Sequence, residues 1–151
     1  MSTQSLYDRH QHEVIISRLS SVRPDARRQW GRMDVAQMLA HCQVPLRVAM
    51  GDVTIKRGLI GVLFGGMARR KLLKPENWEH DMPTAPEFRV KDPREFTREH
   101  EALLGLVRRF GRGGPSALTK EPHPFFGALS VQQWDALQWK HLDHHLRQFG
   151  A

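Results

Sequence analysis

The sequence predicts an all-α protein, a four-helix bundle with a long irregular crossover between helices 2 and 3. Three observations predict this class: capping residues mark three helix starts, glycines stand where the helices should end, and no alternating run typical of a strand exceeds a few residues. The segment nearest to a strand is 87–91. Because the 151 residues contain no internal repeat and no low-complexity tract, we expect a single domain over residues 1–151.

The first two helices are predicted from different signals. The segment before Pro24 carries apolar residues at helical spacing over about five turns: Leu6, Val14, Ile15 and Leu19. The second helix should begin at Asp34, with Gln37 three residues later as its reciprocal cap, and end at Gly51. Pro45 inside this helix removes the backbone donor for the carbonyl of residue 41, so a kink is expected there.

Residues 52–91 are predicted to form the irregular crossover, since Pro75, Pro83 and Pro86 interrupt regular structure. The apolar run 58–67 fits a short packing helix, but its four glycines disfavour an autonomous one by about 1 kcal/mol each. Two functional alternatives stay open for this run: a mobile cover over a pocket, or a surface anchor with basic flanks. The basic flanks are Lys56, Arg57, Arg69, Arg70 and Lys71.

The third helix is predicted from Asp92 to Gly111, and the fourth from Ser130 to Gly150. In both, the capping side chain stands three residues before a Glu or Gln, as in a capping box. Pro93 suits the first position of the third helix, and the closing glycines suit a left-handed residue after a helix end.

The composition excludes several classes of protein. Twenty-three Lys and Arg against sixteen Asp and Glu give a net charge of +7, but the basic pairs are scattered and no nucleic-acid-binding motif accompanies them, which argues against specific nucleic-acid binding. The single cysteine, Cys42, cannot form an internal disulfide and is expected to be a buried apolar residue. The longest apolar run is shorter than the ~18 residues that cross a bilayer, and no signal segment is present, so we expect a cytoplasmic protein with no membrane span.

Histidines in the last predicted helix have the spacing of metal ligands. His141 and His145 are four residues apart, which places both imidazoles on one helix face within reach of a single ion. That face is expected to point inward and also carries Trp134, Leu137, Gln138 and Gln148. A third ligand should come from a neighbouring helix, and His41 lies two turns into the second helix. His144 points about 100° away from His145 and is expected on the surface.

Three neutral histidines would leave at least one coordination position open, as catalytic metal sites do. The spacing alone leaves a chance match, or a buried hydrogen-bonded pair, as an equal alternative. A zinc-protease motif is excluded because Leu142 occupies the position of its glutamate. Gln37, Gln138 and Gln148 are candidates to orient the ligand rings. The aromatic residues expected in the core are Trp30, Trp134, Trp139, Phe125 and Phe126.

Three segments resemble the DinB/YfiT-like superfamily, and in particular a branch named only as a domain of unknown function: residues 30–41 (WGRMDVAQMLAH), residues 123–130 (HPFFGALS) and residues 140–150 (KHLDHHLRQFG). The resemblance implies a bundle of four helices with a metal held by three histidines. By that resemblance the ligands are His41, His141 and His145, and Gln148 matches the Gln that follows the second histidine of the last helix.

Characterised members of that superfamily include thiol-dependent S-transferases and a mycothiol-dependent maleylpyruvate isomerase, in which the metal activates a thiol. The resemblance therefore implies a metal-dependent enzyme that activates a thiol or water and acts on a small-molecule substrate. The implied cofactors are a divalent zinc, nickel or iron ion and a low-molecular-weight thiol. A homodimer is compatible with this fold, and the sequence leaves the oligomeric state open.

Two other functions stay open: a non-catalytic module that binds a metal or small ligand, and a basic interaction protein whose histidines are structural. His123, in the loop that leads into the last helix, is the candidate catalytic acid or base. The alternative for His123 is that its ring satisfies backbone groups of its own loop.

Overall fold

The computed structural model describes residues 4–151 and contains five α-helices. They are α1 (Arg9–Ser21), α2 (Val35–Ala49), α3 (Leu59–Leu72), α4 (Phe96–Gly113) and α5 (Val131–Gln148), with 3₁₀ turns at Pro86–Phe88 and Gly114–Ala117. Among residues 4–151 there is no strand, and a single isolated bridge pairs His123 with Gly127. The prediction of an all-α protein is confirmed.

Four of the helices surround a common core. α2 packs against α4 and α5, and α1 packs against the same two helices from the other side. The interior side chains include the fully buried Ile15, Leu39, Leu103 and Val107, one from each of α1 and α2 and two from α4. Burying each such side chain contributes about 1.5–3 kcal/mol, and because the core also contains Leu142 and Leu146 of α5 it fixes α2 and α5 relative to each other.

Capping contacts set the starts of α2 and α5 where the sequence predicts them. The carboxylate of Asp34 accepts the N–H of Gln37 at 2.8 Å, and the Gln37 side chain accepts the N–H of Asp34 at 3.0 Å. Ser130 and Gln133 make the same reciprocal pair at 3.1 and 3.0 Å. The glycines after the two helices, Gly51 and Gly150, take the left-handed conformation with φ of 77° and 74°.

Two other helix boundaries differ from the prediction. α1 has 13 residues and is shorter than five turns, because Asp8 caps the N–H of Gln11 and the helix starts only at Arg9. α4 does not begin at Asp92. Its N-cap is Glu95, whose carboxylate accepts the N–H groups of Thr97 and Arg98, and the helix runs past Gly111 to Gly113.

The crossover is not irregular throughout. Residues 59–72 form α3, a helix of 14 residues, so the short packing helix that fitted the run 58–67 is present and is longer than expected. Gly61 and Gly65 lie directly against the backbone of Phe125, where a Cβ on Gly65 would overlap the carbonyl oxygen of Phe125. This close approach explains how the glycine-rich segment is helical in spite of its low propensity. Within residues 4–151, no helix is long and apolar enough to span a bilayer.

Polar contacts also attach the start of the chain to the helix that carries two histidines. Asp135 of α5 accepts the N–H of Leu6 at 2.7 Å and the hydroxyl of Ser5. Arg18 of α1 pairs with Asp143 of α5 at 2.8 Å. α5 is therefore attached both to residues 5 and 6, which precede α1, and to α1 itself.

The core predicts a large effect of Leu103→Ala. The side chain is fully buried in the middle of α4, so its truncation should lower the free energy of unfolding by about 2–5 kcal/mol. Urea unfolding followed by circular dichroism measures this change. The exposed Val14 of α1 is the control, and Val14→Ala should change stability by no more than about 0.5 kcal/mol. Equal effects of the two substitutions would contradict the placement of the core.

Candidate metal centre

Three imidazole rings meet where α2 lies beside α5. His41 comes from α2, and His141 and His145 come from successive turns of α5. Their ring centroids are 4.7 to 4.9 Å apart in all three pairs. One nitrogen from each ring lies within 4.8 Å of the other two, and the Nε2 atoms of His41 and His141 are 3.0 Å apart. The three histidines predicted as a set therefore lie together and can hold a metal ion.

Two of the rings are oriented by hydrogen bonds at Nδ1. Nδ1 of His41 donates to the carbonyl of Phe88 at 2.6 Å, and Nδ1 of His145 donates to the side-chain oxygen of Gln148 at 2.7 Å. Because both partners are acceptors, the proton of each neutral ring belongs on Nδ1 and the lone pair on Nε2. Protein metal ligands are commonly held in this way, and the expected role of Gln148 as a ring partner is confirmed.

The partner of His145 is itself held in place. The amide nitrogen of Gln148 donates to the carbonyl of Trp30 at 2.9 Å. Gly31 follows Trp30 with φ of 81°, and a Cβ on it would lie 2.5 Å from the same amide nitrogen. Glycine is therefore required at position 31 both by the backbone conformation and by the space that Gln148 fills.

Burial keeps the three rings neutral. Loss of solvation lowers the pKa of His145 to about 3 and lowers that of His141 well below its usual value, with a further contribution from the neighbouring histidines. Burial also lowers the pKa of His41, against the opposing effect of the Phe88 carbonyl. Neutral imidazoles are the form that binds metals, so protonation does not compete with an ion near neutral pH.

This donor set fits a borderline-soft divalent ion. Bonds of about 2.0–2.1 Å from imidazole to such an ion place the ligand nitrogens somewhat more than 3 Å apart, and the nitrogens of the cluster lie within 4.8 Å of one another. The cluster contains histidines alone, with no carboxylate or thiolate among the described residues. Zinc, nickel and iron accept imidazole ligands, whereas magnesium and calcium require oxygen. Three protein ligands leave at least one position for water or substrate.

Aromatic rings from the crossover border the cluster. The ring of Trp78 lies 6.0 Å from that of His141, and its Nε1 donates to the carbonyl of Leu72. Trp30 stacks on His80 at 3.7 Å. No sequence pattern predicts Trp78 or the carbonyl of Phe88 beside the histidines. The one signal in the sequence is that Trp78 and His80 stand close together in a segment predicted to have little regular structure.

Lys140 attaches the crossover to α5 beside the histidines. Its buried ammonium group donates to the carbonyls of Lys74 and Glu76 at 2.6 and 2.7 Å. Burial lowers the pKa of Lys140, while the nearby carboxylates oppose the shift. This pair of contacts holds the segment that contains Trp78 against the helix.

The two described surface clefts do not coincide with the histidine cluster. Two surface clefts have volumes of about 570 and 390 Å³, and none of the three histidines lines either of them. The candidate site is therefore assigned from the converging donors and their burial.

A family model described as a protein of unknown function (DUF1569) matches residues 3–151, which include all three histidines and the groups that orient them. The chain belongs to the DUF1569 family. No curated protein and no solved structure matches it.

His144 of this DUF1569 chain is buried, so the prediction of a surface position is wrong. Its ring lies 5.5 Å from Trp30, 5.7 Å from Trp78 and 5.1 Å from His145. The helical offset from His145 was right, but it leads to a second buried face, which the crossover covers next to Lys140. Within residues 4–151, Nδ1 of His144 has no hydrogen-bond partner.

His123 lies outside the histidine cluster of the DUF1569 chain. Its Nδ1 accepts the N–H groups of Phe125 and Phe126 at 3.0 and 3.1 Å, and its ring packs on Phe126 and Trp134. Burial lowers its pKa to about 4. These contacts correspond to the structural alternative for this residue, and its catalytic role stays a prediction.

Gln37 does not orient a ligand ring, because its side chain caps α2 and donates to the carbonyls of Lys91 and Asp92. Gln138 is buried, and no partner for its Nε2 is present in residues 4–151. Cys42 is buried as predicted, and burial raises the pKa of its thiol. Of the aromatic residues predicted in the core, Trp134 is fully buried, and the half-buried ones are Trp30, Trp139, Phe125 and Phe126.

The lowered histidine pKa values predict a loss of stability in acid. In the unfolded chain histidine titrates near pH 6.5, whereas in the fold His123 has a pKa of about 4, so the unfolded state binds the proton first as the pH falls. Between those values this one residue should cost up to about 1.4 kcal/mol per pH unit, about 3 kcal/mol in all. Urea unfolding in the presence of a chelator, at several pH values from 7 to about 4, measures the slope.

His123→Gln removes the titrating ring from the same position and serves as the comparison. The free energy of unfolding of this variant should fall less steeply with pH than that of the wild type. Parallel slopes for the two proteins would contradict the neutral, buried state of His123.

Proposed function

We propose that His41, His141 and His145 bind a divalent zinc, nickel or iron ion, and that the protein is a metal-dependent enzyme of the DinB/YfiT-like superfamily. The observation that carries this proposal is the convergence of three neutral rings, two of which donate from Nδ1 and therefore keep the lone pair on Nε2. The packing of α1, α2, α4 and α5 around one core supports a four-helix bundle as the scaffold.

Satisfaction of the ring nitrogens favours a metal over a structural hydrogen-bond network. His41 and His145 both use Nδ1 as a donor, so each keeps the lone pair on Nε2. Nε2 of His141 lies 3.0 Å from Nε2 of His41, so a proton shared by these two atoms leaves no donor within the cluster for Nε2 of His145. One cation placed between the three rings would accept a lone pair from each of them.

The chain supplies three neutral ligands, so none of the charge of a bound ion would be compensated by the protein. When bound in such a site, an ion of this kind deprotonates a coordinated thiol and lowers the pKa of water to about 7. The rings of Trp30 and Trp78 pack on that of His144 beside the cluster and shield it from bulk water. The proposed reaction is the transfer of an activated thiol, or of water, to a small electrophile, as in an S-transferase or isomerase.

Metal content tests the binding step. Wild-type protein purified without a chelator should contain about one divalent ion per chain, because three histidines suffice for a site with an open position. His141→Ala and His145→Ala should each reduce the content below about one tenth of that value. Elemental analysis of the purified proteins measures both.

Two further variants control that measurement. His10→Ala removes an exposed histidine of α1 and should leave the metal content unchanged. Gln148→Ala keeps all three ligands but removes the acceptor of His145, and should weaken metal affinity by about 10–100-fold. A wild-type protein without metal, or variants that all keep it, would contradict the proposed site.

Turnover is tested separately with the metal-loaded protein. Glutathione, coenzyme A, mycothiol and bacillithiol are offered one at a time with a small electrophile, and loss of free thiol is followed. The proposal expects at least one thiol to be consumed faster than in the absence of protein, and His41→Ala to abolish the difference. Metal binding without consumption of any of the four thiols would contradict the S-transferase reaction.

A further inference from the structure

The helix α3 presents its large side chains to solvent. Six apolar residues of this helix are each between 53% and 73% exposed: Leu59, Ile60, Val62, Leu63, Phe64 and Met67. Elsewhere in residues 4–151 the exposed large apolar residues are three scattered valines, none above 41%. A contiguous patch of this kind on a domain surface usually marks a contact with another molecule.

The orientation of α3 is the reverse of that of an ordinary amphipathic surface helix. Its buried residues are Gly61 and Gly65, which lie against the backbone of residues 124–126. An ordinary surface helix turns its apolar side chains to the core and its polar ones to water. Here the glycine face attaches the helix to the domain, and the apolar face is left for something outside it.

Basic groups accompany the apolar face. From residue 53 to residue 75 the chain contains no Asp or Glu, and its cations are Lys56, Arg57, Arg69, Arg70, Lys71 and Lys74. Arg57 and Arg69 donate to the carbonyls of Gly61 and Ala128, so they fasten the helix without being neutralised. Arg70 follows Leu63 by seven residues and lies two turns further on the same face. Lys71 is paired with Glu79 at 3.2 Å, whereas in the described part of the chain neither Lys56 nor Arg70 forms an ion pair.

We propose that α3 is an interfacial helix that docks the protein on an anionic lipid surface. The apolar side chains would enter the boundary between headgroups and acyl chains, while Lys56, Arg70 and their neighbours contact acidic headgroups. A helix of 14 residues is about 21 Å long and lies on the surface rather than crossing it. The inference does not depend on metal binding.

The charge of this segment favours an anionic lipid surface over a second copy of the chain as the partner of α3. A twofold interface through α3 would place the same face on both sides, so the cations of one copy would meet those of the other with no acidic group from this segment between them. An acidic lipid surface supplies the opposite charge along the whole helix. Charge complementarity therefore favours the membrane surface.

Vesicle flotation of the full-length protein tests the proposal, using phosphatidylcholine vesicles with and without about 30% phosphatidylserine. The wild type should bind the anionic vesicles and bind the neutral ones much less. Leu63→Ser with Phe64→Ser should lower the partition coefficient at least about tenfold, because two apolar contacts are lost. Lys56→Gln with Arg70→Gln should lower it about 25-fold on anionic vesicles.

Matched pairs of substitutions control for composition and net charge. Val14→Ser with Val131→Ser changes exposed apolar residues away from α3, and Arg27→Gln with Arg108→Gln removes two exposed cations from other surfaces. Both control pairs should keep wild-type binding to anionic vesicles. All the substituted side chains are exposed, and thermal unfolding verifies that every variant is folded.

Three results would overturn the proposal. The first is no binding of the wild type to anionic vesicles at low salt. The second is unchanged binding of the variant with Leu63→Ser and Phe64→Ser. The third is a wild-type dimer in analytical ultracentrifugation that this variant converts to a monomer, without any binding of the wild type to vesicles. The third result would assign the face to a second copy of the chain.

Discussion

Three imidazole rings share one buried space between α2 and α5, and they can do so only while all three stay neutral. Burial favours the neutral form of each ring, and the close approach of the rings adds to that effect. Neutrality alone would leave the tautomers undetermined. The acceptors at Nδ1 of His41 and His145 determine the tautomers of these two rings, because they place the proton on Nδ1 and the lone pair on Nε2. The candidate site therefore depends on the combination of burial with oriented acceptors rather than on the spacing of histidines along one helix.

The acceptors connect this site to distant parts of the chain. Phe88 belongs to the crossover, and Gln148 is held by the turn at Trp30 and Gly31, so three separate segments determine how two rings are aimed. The crossover also supplies Trp78 and is fastened to α5 by Lys140. A connection that looks like an insertion between two helices is thus part of the wall of the site. Its preceding helix, α3, faces away from the core and has a separate role in the proposed contact with lipid.

Local rules were sufficient to predict the helical class, the starts of α2 and α5, and the shared face of His141 and His145, because capping boxes and four-residue spacing act over short distances. The grouping of His41 with that pair came from the family resemblance, since the residues are 100 positions apart. Local rules gave wrong expectations at positions where tertiary contacts determine the structure. Glycine propensity disfavoured α3, but contact of Gly61 and Gly65 with the loop at Phe125 outweighs it. The angular offset of His144 from His145 around α5 predicted an exposed side chain, but the crossover covers that face of the helix as well. The Phe88 carbonyl has no side-chain signature, so no sequence pattern could have assigned it to His41.

We propose that these three rings hold one ion and leave one side of it open. X-ray absorption spectroscopy at the edge of the bound metal measures the ligands directly. The expected spectrum contains three imidazole nitrogens at about 2.0–2.1 Å together with at least one exchangeable ligand that is not imidazole, and His41→Ala should lose one imidazole contribution. A first shell without imidazole scattering, or a spectrum that His41→Ala leaves unchanged, would contradict it.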